Sequence, residues 1–287
     1  MQEKVLRVAK FNLREASDLL LDSLDSTGLS DNTKKAYRTD LRMFWQEMDI
    51  DSRGGLDPEE LLKLAPAWLN SKRRILAPKT TARRLTTMRN LGIVLQKPVL
   101  PKYATPKAAD PTPHPLPGGA EDLQKLLDVC YQEQHKALIA LTGLCGARIG
   151  EALEVSPVNF NIAERTLQIW GKGDKVRIVP VSDFAWAILA PSIINTVIEH
   201  NDKTPLIRMG DRAARELITA LGKRAKLTRS ISSHDLRATF ATESYNNCRD
   251  IVAVQRLLGH ASPAQTQVYI GTTAATLRNA ANFMGSR

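Results

Sequence analysis

Residues 97–119 read KPVLPKYATPKAADPTPHPLPGG, and this stretch divides the chain. Seven of the fifteen prolines fall in it, at 98, 101, 106, 111, 113, 115 and 117, and Gly118 and Gly119 close it. Proline fixes φ and removes a backbone donor, so such a run is extended and semi-rigid and reads as a linker. Two domains are expected, 1–100 and 120–287, joined by a linker over 101–119, a division that suits a chain of 287 residues.

Upstream of the linker the pattern is helical. In LSDNTKKAYRTDLRMFWQEM (29–48), Tyr37, Leu41, Phe44 and Met48 recur at helical spacing, with Lys34, Lys35, Arg38 and Arg42 on the other side. A second helix is expected in TTARRLTTMRNLGIVL (80–95), after Pro78. Charge is the stronger signal: residues 61–109 contain no acid and eleven basic side chains. Like charges without compensation repel one another, so a bound polyanion is the economical explanation, and nucleic acid is the expected partner. Lys34, Lys35, Arg83, Arg84, Thr87 and Asn90 are the candidate DNA contacts of this half.

Downstream, AEDLQKLLDVCYQEQ (120–134) and HKALIALTGLCGARIGEAL (135–153) read as helices, and TLQIW and VRIVPV flank the turn GKGDK as a hairpin. From residue 211, Ala214, Leu217, Ile218 and Leu221 share one helical face, opposite Arg212, Arg215, Thr219 and Lys223. Arg212, Arg215 and Lys223 are the candidate DNA contacts here. In SSHDLRATFAT (232–242) a serine capping a helix would set His234 and Arg237 three apart on one face, beside an N-terminus that already attracts anions. The class is mainly α with a small β-sheet.

Forty basic against thirty acidic residues give a net charge of +10 and a pI near 9.6. That balance suits a polyanionic partner. The N-terminus lacks the apolar core of a signal peptide and no run of eighteen apolar residues occurs, so a cytoplasmic protein that does not enter a membrane is expected. Cys130, Cys145 and Cys248 have no metal-ligand spacing and read as reduced, core or near-core residues.

Four segments carry chemistry in a fixed order: TGLCGARIGEAL with Arg148 and Glu151, IWGKGDKVRIVPV with Lys172, HDLRATFAT with His234 and Arg237, and LLGHASPAQTQVYI with His260 and Tyr269. As a set they resemble the tyrosine recombinase family, also called the phage integrases. The resemblance covers nearly the whole chain after residue 30. It implies a helical core-binding domain and a mixed α/β-hairpin catalytic domain that form a clamp around DNA. Ala238 stands where many relatives carry a further histidine, a position outside the catalytic set.

The residue types fit the chemistry. Tyrosine, with an ordinary pKa of about 10, needs a nearby base and a stabilised transition state before it can attack phosphorus. The resemblance makes Tyr269 the nucleophile, with Arg148 and Arg237 as two permanently charged forks on the phosphate. His234 takes the tyrosine proton, Lys172 protonates the departing 5′ oxygen, His260 bonds a phosphate oxygen, and Glu151 anchors the basic cluster. No acidic metal cage and no GxxxxGK[ST] loop accompany the set, so neither metal, ATP nor another cofactor is expected. The resemblance further implies double-stranded DNA with inverted-repeat core sites as substrate and a homotetramer on two sites, assembled through the C-terminal helix with its stripe of Leu277, Ala281 and Met284. It also implies a nucleoid-associated protein of a bacterial host, of the short type without an arm-binding domain. The competing readings are a type IB topoisomerase-like enzyme acting on one duplex and a DNA-binding protein without catalysis.

Overall fold

A computed structural model of the chain describes residues 10–25, 29, 31–72, 75–97, 104–105, 114–171 and 175–259. Contacts divide the chain into two compact units, Met1–Ala109 and Asp110–Arg287.

The first unit contains α1 (Leu13–Asp25), α2 (Asp31–Glu47), α3 (Pro58–Lys72) and α4 (Pro78–Val94). Tyr37, Leu41 and Phe44 of α2 are buried and Met48 packs on the same core, while Lys35, Arg38 and Arg42 are exposed. Pro78 opens α4, where its missing N–H costs nothing. The Phe44 and Trp68 rings meet at 5.3 Å in the centre of the core.

Within that core α2 buries a carboxylate. Asp40 is fully buried; Arg83 Nη2 donates to Oδ1 at 2.9 Å, Thr87 Oγ1 to Oδ2 at 3.1 Å, and Arg84 Nε lies 3.8 Å from Oδ1. The Arg84 guanidinium also sits 4.6 Å from the Trp68 ring centre. Burial pushes the Asp40 carboxyl up, against the pull of Arg83, Thr87 and Arg84. A buried charge without partners is strongly destabilising, so α4 turns its polar side inward here.

The second unit is built on α6 (Glu133–Gly143), whose residues from Ala137 to Gly143 are all buried. Around it pack α5 (Gly119–Asp128), α8 (Asp183–Glu199) and α10 (Ser233–Cys248). The unit also holds α7 (Ile149–Glu154), α9 (Asp211–Arg224), α11 (Ile251–Leu258) and an antiparallel sheet of order β1-β2-β3. Its strands are β1 (Phe160–Asn161), β2 (Thr166–Gly171) and β3 (Lys175–Pro180), with Ile169 paired to Arg177 and Gly171 to Lys175.

Three local readings change. The single helix expected over 135–153 is two, α6 and α7, broken at Gly146, whose φ is +66°. A Cβ at Gly146 would lie 2.4 Å from the Phe240 ring, so both conformation and space require glycine. The end of the expected linker belongs to the second unit: Leu116 is buried there, and its N–H donates to Thr239 Oγ1 at 2.8 Å. Cys248 is exposed, whereas Cys130 and Cys145 are buried and their thiols are pushed up to about 11 and about 12 by burial.

Candidate active site

The break at Gly146 makes Arg148 the N-cap of α7, three residues before Glu151. Glu151 closes the first turn by accepting the Arg148 backbone N–H on Oε2 at 2.8 Å and the Arg148 Nη1 on Oε1 at 2.8 Å. Arg177, from the middle of β3, donates Nη2 to Oε2 at 2.7 Å, and Arg237 Nη1 lies 3.9 Å from the same oxygen. One carboxylate, 8% exposed, therefore meets three guanidiniums. Burial would raise the Glu151 carboxyl, but the hydrogen bonds and charges of Arg177 and Arg148 outweigh it and hold the pKa at about 2.

Ser232 caps α10 as expected of one of the two serines, and Asp235 completes the box. Asp235 Oδ2 accepts the Ser232 N–H at 2.6 Å and hydroxyl at 2.7 Å, and Oδ1 accepts Arg229 Nη2 at 2.9 Å. Burial raises the Asp235 carboxyl, yet Ser232 and Arg229 together carry it below its ordinary value. Arg229 Nη2 also bonds the carbonyls of His114 at 2.7 Å and Pro115 at 3.0 Å, which ties the chain entering this unit to the start of α10.

On this fixed first turn His234 is exposed and Arg237 is buried. Arg237 donates Nη1 to the carbonyl of Gly146 and Nη2 to that of Leu258 at 2.6 Å. Arg148, by contrast, leaves 43% of its side chain exposed. Although exposed by surface area, His234 is partly desolvated by its neighbours, and this together with the positive charges of Arg215, Arg237 and Arg148 lowers its pKa, with Asp235 pulling the other way. The shift favours the neutral imidazole, the form that accepts a proton.

Lys172, His260 and Tyr269 lie outside the described residues, as does the terminal segment. The described residues that precede Lys172 and His260 border the cluster. A Cβ on Gly171, the residue before Lys172, would lie 3.6 Å from Glu151 Oε1. Gly259, the residue before His260, has φ +63°, and a Cβ on it would lie 2.9 Å from Arg177 Cδ.

The candidate DNA contacts divide. Lys35, Arg212 and Lys223 are exposed, Lys34, Arg83 and Asn90 are half-buried, and Arg215 is half-exposed. Arg212 pairs with Glu216 at 2.8 Å and Arg215 with Asp211 at 2.7 Å, so part of the positive charge on α9 is compensated one turn away. Arg215 and Lys223 line a shallow depression of about 320 Å³ with Glu216, Thr219 and Ala220. Arg84 and Thr87, expected at the DNA surface, are instead 3% and 0% exposed, drawn inward by Asp40. Asp40 itself was the readable signal, since it stands between Tyr37, Leu41 and Phe44 on the apolar face of α2. Arg177 was missed because its alternating β pattern concealed a charged, inward-facing member. Among the described residues no group of three or more His, Cys, Asp or Glu could hold a metal ion.

Arginines from separate segments thus gather on one buried glutamate, within a helical unit that carries a small hairpin sheet. A model of the phage integrase family matches residues 119–275, more than half of the chain. Among curated proteins the chain is similar to tyrosine recombinase XerD of Listeria innocua, 28% identical over 88% of this chain and 92% of that one. It is also similar to tyrosine recombinase XerC of Chromohalobacter salexigens, 29% identical over 90% of this chain and 91% of that one. In fold it resembles a lambda integrase dimer bound to a COC′ core site, with a TM-score of 0.69 and 14% identity over 95% of this chain and 81% of that one. XerH recombinase bound to a palindromic difH substrate gives a TM-score of 0.64 and 20% identity over 96% and 85%. The chain belongs to the phage integrase family and is a tyrosine-type site-specific recombinase.

Proposed function

We propose that Tyr269 cleaves one DNA strand by forming a 3′-phosphotyrosyl bond, with Arg148, Lys172, His234, Arg237 and His260 as the catalytic set. The observation that carries this reading is the gathering of Arg148 and Arg237, 89 residues apart in the chain, on Glu151. The Tyr269 oxygen attacks phosphorus as its proton passes to His234, and the bond from phosphorus to the 5′ oxygen breaks as Lys172 supplies that oxygen with a proton. Arg148 and Arg237 stabilise the charge on the non-bridging oxygens, and His260 bonds one of them. The phosphotyrosyl bond conserves the broken linkage, so a new 5′ hydroxyl reverses the step without ATP.

The substrate in this reading is double-stranded DNA with inverted-repeat core sites, contacted by Lys34, Lys35, Arg83 and Asn90 from the first unit and Arg212, Arg215 and Lys223 from the second. Four copies act on two sites, joined through the segment that follows Tyr269, in the cytoplasm. No described helix is long and apolar enough to cross a membrane.

The test is a nicked core-site duplex that loses a short fragment on cleavage and so traps the covalent complex. The chain should become attached to DNA through a peptide containing Tyr269, and Tyr269→Phe should bind the same DNA without attaching. Attachment of the Tyr269→Phe protein would remove Tyr269 as nucleophile. Arg148→Ala and Arg237→Ala should each slow trapping by the equivalent of about 3 kcal/mol, the loss typical of one donor at a developing oxyanion.

A further inference from the structure

Arg177 takes no part in the chemistry proposed above, yet it touches two other segments of the site. Its Nη2 holds Glu151 Oε2 at 2.7 Å, and its Nε donates to the carbonyl of Leu257 at 3.0 Å, in the last turn of α11. Its Cδ lies where a Cβ on residue 259 would come within 2.9 Å, so the left-handed Gly259 that ends α11 fits closely over it. The next carbonyl, that of Leu258, accepts from Arg237. Two arginines thus satisfy adjacent carbonyls at the C-terminal end of α11, where free acceptors and the helix dipole favour cations.

We infer that Arg177 is a positioning residue for strand cleavage: by holding Glu151 Oε2 and the end of α11, it leaves Oε1 to Arg148 Nη1 and so fixes the direction in which the Arg148 guanidinium faces the phosphate. The inference rests on the reading that Arg148 neutralises charge on the scissile phosphate. Arg177 is not itself a phosphate ligand in this scheme, because its side chain is 9% exposed and both donors named above are committed to protein acceptors. The division of labour on Glu151 is the decisive geometry. With Arg177 in place, the two carboxylate oxygens face different arginine side chains. Without it, Oε2 keeps only the Arg148 backbone N–H as a hydrogen-bond donor and its second acceptor position is released to the Arg148 side chain, and an arginine with both carboxylate oxygens in reach closes into a two-bonded fork. That fork would turn the Arg148 guanidinium from the phosphate onto its own anchor. Catalytic groups have to be held by a surrounding shell of bonds, and small misplacements are expensive in rate.

The test compares Arg177→Met with Arg148→Ala on two duplexes, one native and one with an uncharged methylphosphonate at the cleavage position. On native DNA, Arg177→Met should bind with unchanged affinity and cleave in single turnover about a hundredfold more slowly. Arg177→Lys should recover part of the rate, since an ammonium can still occupy Glu151 Oε2. On the methylphosphonate, whose missing charge makes a correctly aimed Arg148 dispensable, both Arg148→Ala and Arg177→Met should cleave at the wild-type rate for that substrate. If Arg148→Ala is rescued and Arg177→Met is not, Arg177 does not act through Arg148 and the inference is wrong while the reading of Arg148 stands. If neither is rescued, the role of Arg148 and the inference fall together. Thermal melting accompanies each variant; should Arg177→Met be unfolded, Arg177→Lys carries the same comparison, and an Arg177→Lys defect that survives on the methylphosphonate is equally adverse.

Discussion

At Glu151 one side chain settles the arrangement of several others. It receives Arg148 and Arg177 by hydrogen bonds and Arg237 by proximity, so removing it leaves buried or half-buried guanidiniums facing one another without a counter-charge. Its carboxyl, held at about 2 against an ordinary 4.5, is favoured in the ionised form by folding. A depressed carboxyl stabilises the fold in full above the higher of those values and loses that contribution as pH falls through the interval. A shift of this size corresponds to about 3 kcal/mol, and the near-complete burial of the group leaves little solvent screening to discount. Glu151→Gln is therefore expected to be about 3 kcal/mol less stable than the parent chain in urea unfolding at pH 7, with the gap narrowing as pH falls below the ordinary carboxylate range. A gap of constant size from neutral to strongly acidic pH would show that shape, and not charge, makes Glu151 important.

At the scale of elements, the hairpin of β2 and β3 lays Gly171, the residue before Lys172 in sequence, beside Glu151. If Lys172 protonates the departing 5′ oxygen, Lys172→Ala should cleave a normal duplex poorly and a duplex carrying sulfur in place of that oxygen at nearly the parent rate, because a thiolate leaves without a proton. Equal loss on the two substrates would take Lys172 out of that role and leave the other assignments untouched. How much of these elements was legible beforehand follows from what periodicity can and cannot report. The apolar stripe of α2, the proline that opens α4, the hairpin and the serine cap of α10 were all local patterns, and each stands where its pattern placed it. At the break between α6 and α7, the lack of room for any side chain at Gly146 comes from Phe240, far away in the sequence. The inward turn of Arg84 and Thr87 depends on Asp40, on another helix. Arg148, Glu151, His234 and Arg237 could be listed from the order of their motifs; that Arg177 joins Glu151 to α11 required the register of the sheet.

For the molecule as a whole, charge and assembly ask different things of the chain. A net charge of +10, with an acid-free stretch in the first unit, favours DNA in proportion to the phosphates it neutralises, and that attraction is the same whether one copy or four are present. Recombination needs more, because two duplexes must be brought together before strands can be exchanged. The segment after Tyr269 has a composition suited to pairing copies. Leu277, Ala281 and Met284 fall at helical spacing, with Phe283 beside them and mostly small and polar residues between, and such a stripe buries itself only against another apolar surface. Deleting residues 272–287 removes one basic side chain at 278 and another at 287 and leaves the rest of the positive charge in place. The truncated chain should therefore bind a single core site with nearly the parent affinity and nearly the parent dependence on salt, and should still attach to a nicked site through Tyr269. It should fail to hold two sites in one complex on a native gel and should give no exchanged product. Exchange at the parent rate by the truncated chain would mean that the terminal segment packs only within its own copy and that pairing of sites is carried by another surface.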